Sequence, residues 1–64
     1  MMARVILKGE GKNIVVERIL YTAPVRPEKK ERVKVIIKGV GPRVLNLYWR
    51  GNEAYVKLEE VMGI

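Results

Sequence analysis

The sequence predicts an all-β domain, five short strands curled into a small antiparallel barrel. Three observations lead there. Valine and isoleucine dominate the apolar residues, which fall in short runs broken by Gly, Pro and Asn and not at helical spacing. The segment Arg50-Gly51-Asn52-Glu53 holds a two-residue Gly-Asn loop, which accommodates the positive φ values of a tight hairpin. The stretch from 13 to 23 is long and apolar on both sides at its start, as expected of a strand that bends from one sheet into another. Strands are expected at about 3–8, 13–23, 32–38, 43–50 and 54–59. The breaks are Gly9-Glu10-Gly11, the charged stretch from Pro24 to Glu31, Gly39-Val40-Gly41-Pro42 and Gly51-Asn52. No repeat, low-complexity tract or second domain interrupts residues 1–64.

In the first hairpin, a turn at Glu10-Gly11 sets Leu7 against Ile14 and Val5 against Val16 on the core side, with Ile6 and Val15 on the other face. The third strand alternates. Val33, Val35 and Ile37 have the apolar parity; Arg32, Lys34, Ile36 and Lys38 have the opposite one. An odd-length loop centred on Gly41 keeps these two sets aligned with the next strand. The last hairpin fixes its own register by counting outward from Gly51-Asn52. Arg50 faces Glu53, Trp49 faces Ala54, Tyr48 faces Tyr55, Leu47 faces Val56, Asn46 faces Lys57 and Leu45 faces Leu58. Every pair is consistent, and a one-residue slip would turn each apolar side chain to the wrong face. The tail from Leu58 to Ile64 either continues the last strand or forms a short helical turn.

Composition limits what such a domain can do. The chain has 64 residues, 13 Lys+Arg against 7 Asp+Glu and a net charge of +6. A domain this small buries only roughly 60% of the surface its unfolded chain exposes, which leaves one thin core and no deep, dry active site. There is no His, Cys, Ser, Asp, Gln or Phe, and the one threonine is Thr22. Ser-His-Asp and Cys-His nucleophile systems, Cys/His zinc sites and disulfides are therefore all excluded. No catalytic constellation is expected, and no cofactor, metal or small-molecule substrate. Gly39-Val40-Gly41-Pro42 lacks the strand-to-helix context of a phosphate-cradling loop, and Glu59-Glu60 point to opposite sides of a strand. The opening Met-Met-Ala-Arg-Val-Ile-Leu is too short an apolar run for a signal peptide or a membrane span, so a cytoplasmic location is expected. Abundant Lys, Glu and Arg with no Gln or Cys follow the composition trend of hyperthermophile proteins.

The functional clue is the predicted outer face. It reads Arg32, Lys34, Ile36 and Lys38, then Val44, Asn46, Tyr48 and Arg50, then Glu53, Tyr55, Lys57 and Glu59. Cations neutralise phosphates and release counterions, while flat or apolar side chains stack on bases or wedge between base steps. Lys34, Lys38, Arg50 and Lys57 are the expected phosphate contacts, with Arg32 and Arg43 at the margins and Tyr48, Tyr55 and Ile36 against sugars or bases. Tyr21 either sits on the barrel rim beside this face or caps the core. Trp49 shares the parity of Leu45 and Leu47 and is expected in the core, its indole N–H needing a partner near the barrel end. The Pro24–Glu31 stretch is either a solvated loop or a mobile basic arm. The alternative for the whole face is a solvated sheet on which tyrosines support pairing and mixed charges favour solubility. The net charge favours nucleic acid.

Val5-Ile6-Leu7-Lys8-Gly9-Glu10, Glu17-Arg18-Ile19-Leu20-Tyr21-Thr22-Ala23-Pro24 and the basic alternation Arg32-Val33-Lys34-Val35-Ile36-Ile37-Lys38 give the chain a further likeness. Over roughly residues 3 to 50 it resembles the small SH3-like DNA-binding chromatin proteins of Crenarchaea. The resemblance implies an SH3-like barrel that lays a three-stranded sheet on the minor groove of duplex DNA, with nucleoid association. By position it implies Tyr21, or Leu20 in the unshifted match, as the contact residue on the strand where the family has an aromatic. The chain departs from the family in having no Trp on that strand, a longer connection over 24–31 and no evident C-terminal helix. Duplex DNA is thus the expected partner of a monomer or homodimer. A protein-interaction module or obligate homo-oligomer using the same face is the first alternative, and RNA binding the second.

Overall fold

A computed structural model describes residues 2–9 and 13–62. Five strands run in chain order, β1 (Met2–Lys8), β2 (Val15–Ala23), β3 (Lys29–Ile37), β4 (Gly41–Arg50) and β5 (Glu53–Lys57), followed by one helical turn, α1 (Leu58–Met62). They form a single sheet of order β1-β2-β3-β4-β5 that closes on itself because β1 also pairs with β5. The all-β class holds, and the tail takes the helical of its two expected forms.

The sheet is mixed, not fully antiparallel. Where β2 meets β3 the strands run parallel through two residue pairs, Val15 beside Ile36 and Val16 beside Ile37. The Ile36 N–H donates to the Ile14 carbonyl at 3.0 Å and the Lys38 N–H to the Val16 carbonyl at 3.2 Å. All other pairings are antiparallel. The parallel contact is short because only the start of β2 overlaps the end of β3: β2 begins at Val15 and β3 ends at Ile37, a stagger that local alternation does not encode.

The last hairpin has the register that counting gives: Arg50 with Glu53, Trp49 with Ala54, Tyr48 with Tyr55. Only Gly51 takes positive φ there, at +59°, the mark of a turn with Gly at its first central position. Pairing stops at Tyr48–Tyr55, and the expected partners from Leu47–Val56 to Leu45–Leu58 do not form. From Ala54 to Lys57, β5 is ladder partner to β1 on its other edge, and at Leu58 the chain turns into α1. The β3–β4 hairpin keeps the expected parity but is centred on Gly39 (φ +85°), not Gly41, so Val33 lies beside Leu45 and Lys34 beside Val44. Strand β3 begins at Lys29, inside the stretch expected to be loop.

The β1–β2 pair departs further. Leu7 lies beside Val16 and Val5 beside Ile19, with register shifts between Arg4 and Val5 and between Ile6 and Leu7. These shifts leave Glu17 and Leu20 of β2 without opposite numbers, and such extra residues bend a strand. The expected turn at Glu10-Gly11 lies outside the described residues.

The core is aliphatic. Val5, Val16, Val35, Leu45, Leu47 and Val56 are its largest fully buried side chains, joined by Ala3, Ile37, Ala54 and Val61. Each Val or Leu moved from water contributes about 1.5–3 kcal/mol. Trp49 packs against this cluster half-buried, and its indole N–H donates to the Glu31 carboxylate at 2.9 Å, the end-of-barrel partner it needs. Helix α1 docks through Val61 and through Glu60, whose carboxylate accepts the Asn46 N–H at 2.9 Å and the Tyr48 hydroxyl at 3.4 Å. No helix among the described residues is long and apolar enough to cross a membrane.

Candidate functional site

Strand β3 supplies the site. Its alternation sends Val33, Val35 and Ile37 inward and leaves Lys30, Arg32, Lys34 and Ile36 exposed on the outer face. Across the ladder these stand beside Tyr48, Asn46, Val44 and Pro42 of β4. Side chains two apart on a strand repeat every ~7 Å, so Lys30, Arg32 and Lys34 form an evenly spaced row of charge. Among the described residues the ion pairs are Arg4 with Glu53 at 3.9 Å and Lys38 with Glu17 at 3.1 Å. Neither involves the row, whose charge stands unneutralised. Ile36 and Val44 lie exposed at its end, an apolar patch beside Lys34.

The remaining expected contacts divide. Tyr48 and Tyr55 do have the outer parity and do pair, but they are only 6% and 3% exposed, so neither presents a ring to a base. The outer face is covered there. Lys57, half-buried, holds its ammonium 5.4 Å from the Tyr48 ring centroid, and the Arg4 guanidinium lies 6.0 Å from that of Tyr55. Burial, then hydrogen bonding with Tyr21 and Glu53, pushes the Tyr55 hydroxyl up to about 12. Sequence alternation assigned the right face but could not show that α1 and β1 close over these rings.

Lys38 is exposed but hydrogen-bonds Glu17 at 3.1 Å; that bond, and then the lysine's charge, hold the Glu17 carboxyl below its ordinary value. Arg43 has the inward parity of Leu45 and Leu47, and its guanidinium donates to the Pro42 carbonyl at 2.8 Å. Arg50 is exposed at the hairpin end and donates to the Arg26 carbonyl at 3.2 Å. Tyr21 is exposed on β2, in a row that runs Tyr21, Arg4, Tyr55, Tyr48, Lys30 across all five strands. The structure therefore groups Arg32, Lys34 and Ile36 and sets Tyr21, Arg43, Arg50 and Lys57 apart from them.

Lys29 and Lys30 are the additions. Pro24 to Glu31 read as a loop because Lys29-Lys30-Glu31 is uniformly charged and hides its alternation. The signal was the even-numbered series Lys30, Arg32, Lys34, which continues the β3 parity backwards. Nor is this connection a free arm. The Glu28 N–H donates to the Trp49 carbonyl at 2.8 Å, and the Gly51 N–H donates to the Glu28 carboxylate at 2.8 Å.

Comparison with protein-family models, curated proteins and solved structures finds no match to this chain. Its chemistry is thus read from its own geometry. No group of three or more acidic side chains suited to a metal ion occurs among the described residues.

Proposed function

We propose that the chain is a non-enzymatic, SH3-like barrel that binds double-stranded DNA with little sequence preference through the outer face of β3 and β4. The observation that carries this reading is the unpaired row Lys30, Arg32 and Lys34, with exposed Ile36 and Val44 at its end. Phosphate neutralisation supplies sequence-independent affinity, and apolar side chains beside the cations lie against sugars. The closed sheet beneath holds the row in place, so little ordering entropy opposes binding. The net charge of +6 steers a polyanion toward the domain.

With Lys38 continuing the parity of the row, about four phosphates are neutralised, and log affinity falls against log salt with a slope of about −3.5. The test is a titration of random-sequence duplex at several salt concentrations, with single-stranded DNA and structured RNA alongside. A flat salt response removes the proposal. Tighter binding to RNA than to duplex replaces it with the ribonucleoprotein reading.

A further inference from the structure

The far half of β2 breaks the pattern of the rest of the sheet. Beyond Val16, β2 pairs only with β1, and its other edge from Glu17 to Ala23 makes no backbone hydrogen bond among the described residues. On this edge three consecutive apolar residues, Ile19, Leu20 and Tyr21, are 42%, 40% and 50% exposed. A regular strand buries every second side chain. Here Leu20 has no opposite number on β1, so the alternation of faces is interrupted between Ile19 and Tyr21. A run of exposed apolar residues of this kind is a fault in a monomer unless something covers it.

We propose that the covering object is β2 of a second copy of this chain, paired antiparallel about a two-fold axis through Leu20. That register sets Leu20 on Leu20, Ile19 on Tyr21, Arg18 on Thr22 and Glu17 on Ala23, with no like charges opposed. Charge makes this edge the meeting place. Glu17 is held by Lys38 at 3.1 Å, which leaves Arg18 as the segment's one uncompensated charge and sets it against Thr22 in this register. The free edge of β3, by contrast, carries Lys29, Lys30, Arg32 and Lys34 against Glu31 and repels both its own copy and Arg18 of another. The edge adjoins a cleft lined by Val16, Ile37, Val40 and Val61 together with Arg18 and the Glu17–Lys38 pair, which extends the surface a partner strand can cover. The β3–β4 face stays open in the pair, so the dimer carries two basic rows.

The experiment is sedimentation of the full chain without nucleic acid, from micromolar to near-millimolar concentration, at low and high salt. The expected result is a two-chain species that strengthens with salt, because screening relieves the repulsion between two +6 chains. DNA binding through the basic row weakens with salt, so the two readings fail separately. Leu20→Lys returns the protein to one chain, with folding checked by circular dichroism. Because the chain has no cysteine, Leu20→Cys gives a second test independent of that variant's folding. Residues facing across an antiparallel pair have Cα atoms about 4.5–5.5 Å apart, within disulfide range, so oxidation links two chains. Lys34→Cys on the other edge does not. A single-chain species at every concentration and salt, a dimer unaffected by Leu20→Lys, or Leu20→Cys linking no faster than Lys34→Cys overturns the proposal. Coverage by another protein's strand also leaves the isolated chain single, and that outcome overturns the second copy as the occupant.

Discussion

The closed sheet leaves two edge segments unpaired, one on either side of the short β2–β3 contact, and they are chemical opposites. Along Lys29–Val35 the edge of β3 presents Lys29, Lys30, Arg32 and Lys34; along Glu17–Ala23 the edge of β2 presents Ile19, Leu20 and Tyr21. Both leave backbone groups unpaired, which is a template for another strand. Lysines on an edge block that pairing because a partner strand would have to desolvate them, and so the β3 edge stays unpaired, as the proposed DNA contact requires. The β2 edge carries no such guard. The same backbone hazard therefore meets two chemistries, and the molecule has a charged side and an apolar side about one small core.

The largest effect that separates the two sides is expected from Arg32→Glu combined with Lys34→Glu. Duplex affinity should fall about 100-fold and the salt slope should flatten by about 2, measured by fluorescence anisotropy. The thermal midpoint should hold, since both residues are exposed, and self-association should not weaken, since the repulsion between chains falls. An unchanged affinity breaks the assignment of the β3 side. Next comes Leu20→Lys, which should weaken self-association by at least about tenfold while duplex affinity per chain stays within about threefold. Loss of both together would mean that the two sides are one surface.

Glu60→Ala probes the wall behind the basic row. It removes the acceptor of the part-buried Asn46 N–H and of the Tyr48 hydroxyl, at a cost of about 1–2 kcal/mol. In a domain of this size the midpoint should drop by roughly 5–15 °C. Hydrogen exchange at the Asn46 amide should quicken before any on β2. Alkaline pH gives a smaller effect. Tyr55 titrates at about 12 folded against 10.0 ordinarily, so its neutral form is favoured by folding. Its contribution is whole below pH 10 and fades as pH climbs from there toward 12, because the unfolded chain releases its proton first. Tyr55→Phe should flatten that decline relative to the parent in thermal melts. Smallest is Lys38→Ala, which should let the Glu17 carboxyl titrate closer to 4.5, followed by NMR, with little change in stability because the pair is exposed.

How far the sequence was legible varies by element. Strand parity was readable wherever alternation was strong: Val33, Val35, Leu45, Leu47, Ala54 and Val56 all point inward, and Gly51-Asn52 fixed the last register. Burial of the outer face was not readable, because parity says which side a residue takes and not what lies over it. Tyr48 and Tyr55 therefore looked available, and only the positions of α1, Lys57 and Arg4 show them covered. The β1–β2 register missed by the unpaired Glu17 and Leu20, since an inserted residue leaves no mark in a run such as Glu17-Arg18-Ile19-Leu20-Tyr21 that does not alternate.

What the sequence determined alone is the β class, the absence of His/Cys chemistry, the positive charge and the membership of each face along β3, β4 and β5. These follow from residue type and a period of two, which are local. Tertiary structure decided which members of a face meet solvent, how far β2 and β3 overlap, and that they meet in parallel. Closure of the sheet depends on contacts between residues such as Val16 and Ile37, or Ala3 and Val56, that lie far apart in the chain. No local pattern specifies those distances, so the separation of a basic side from an apolar one appears only when the sheet has closed.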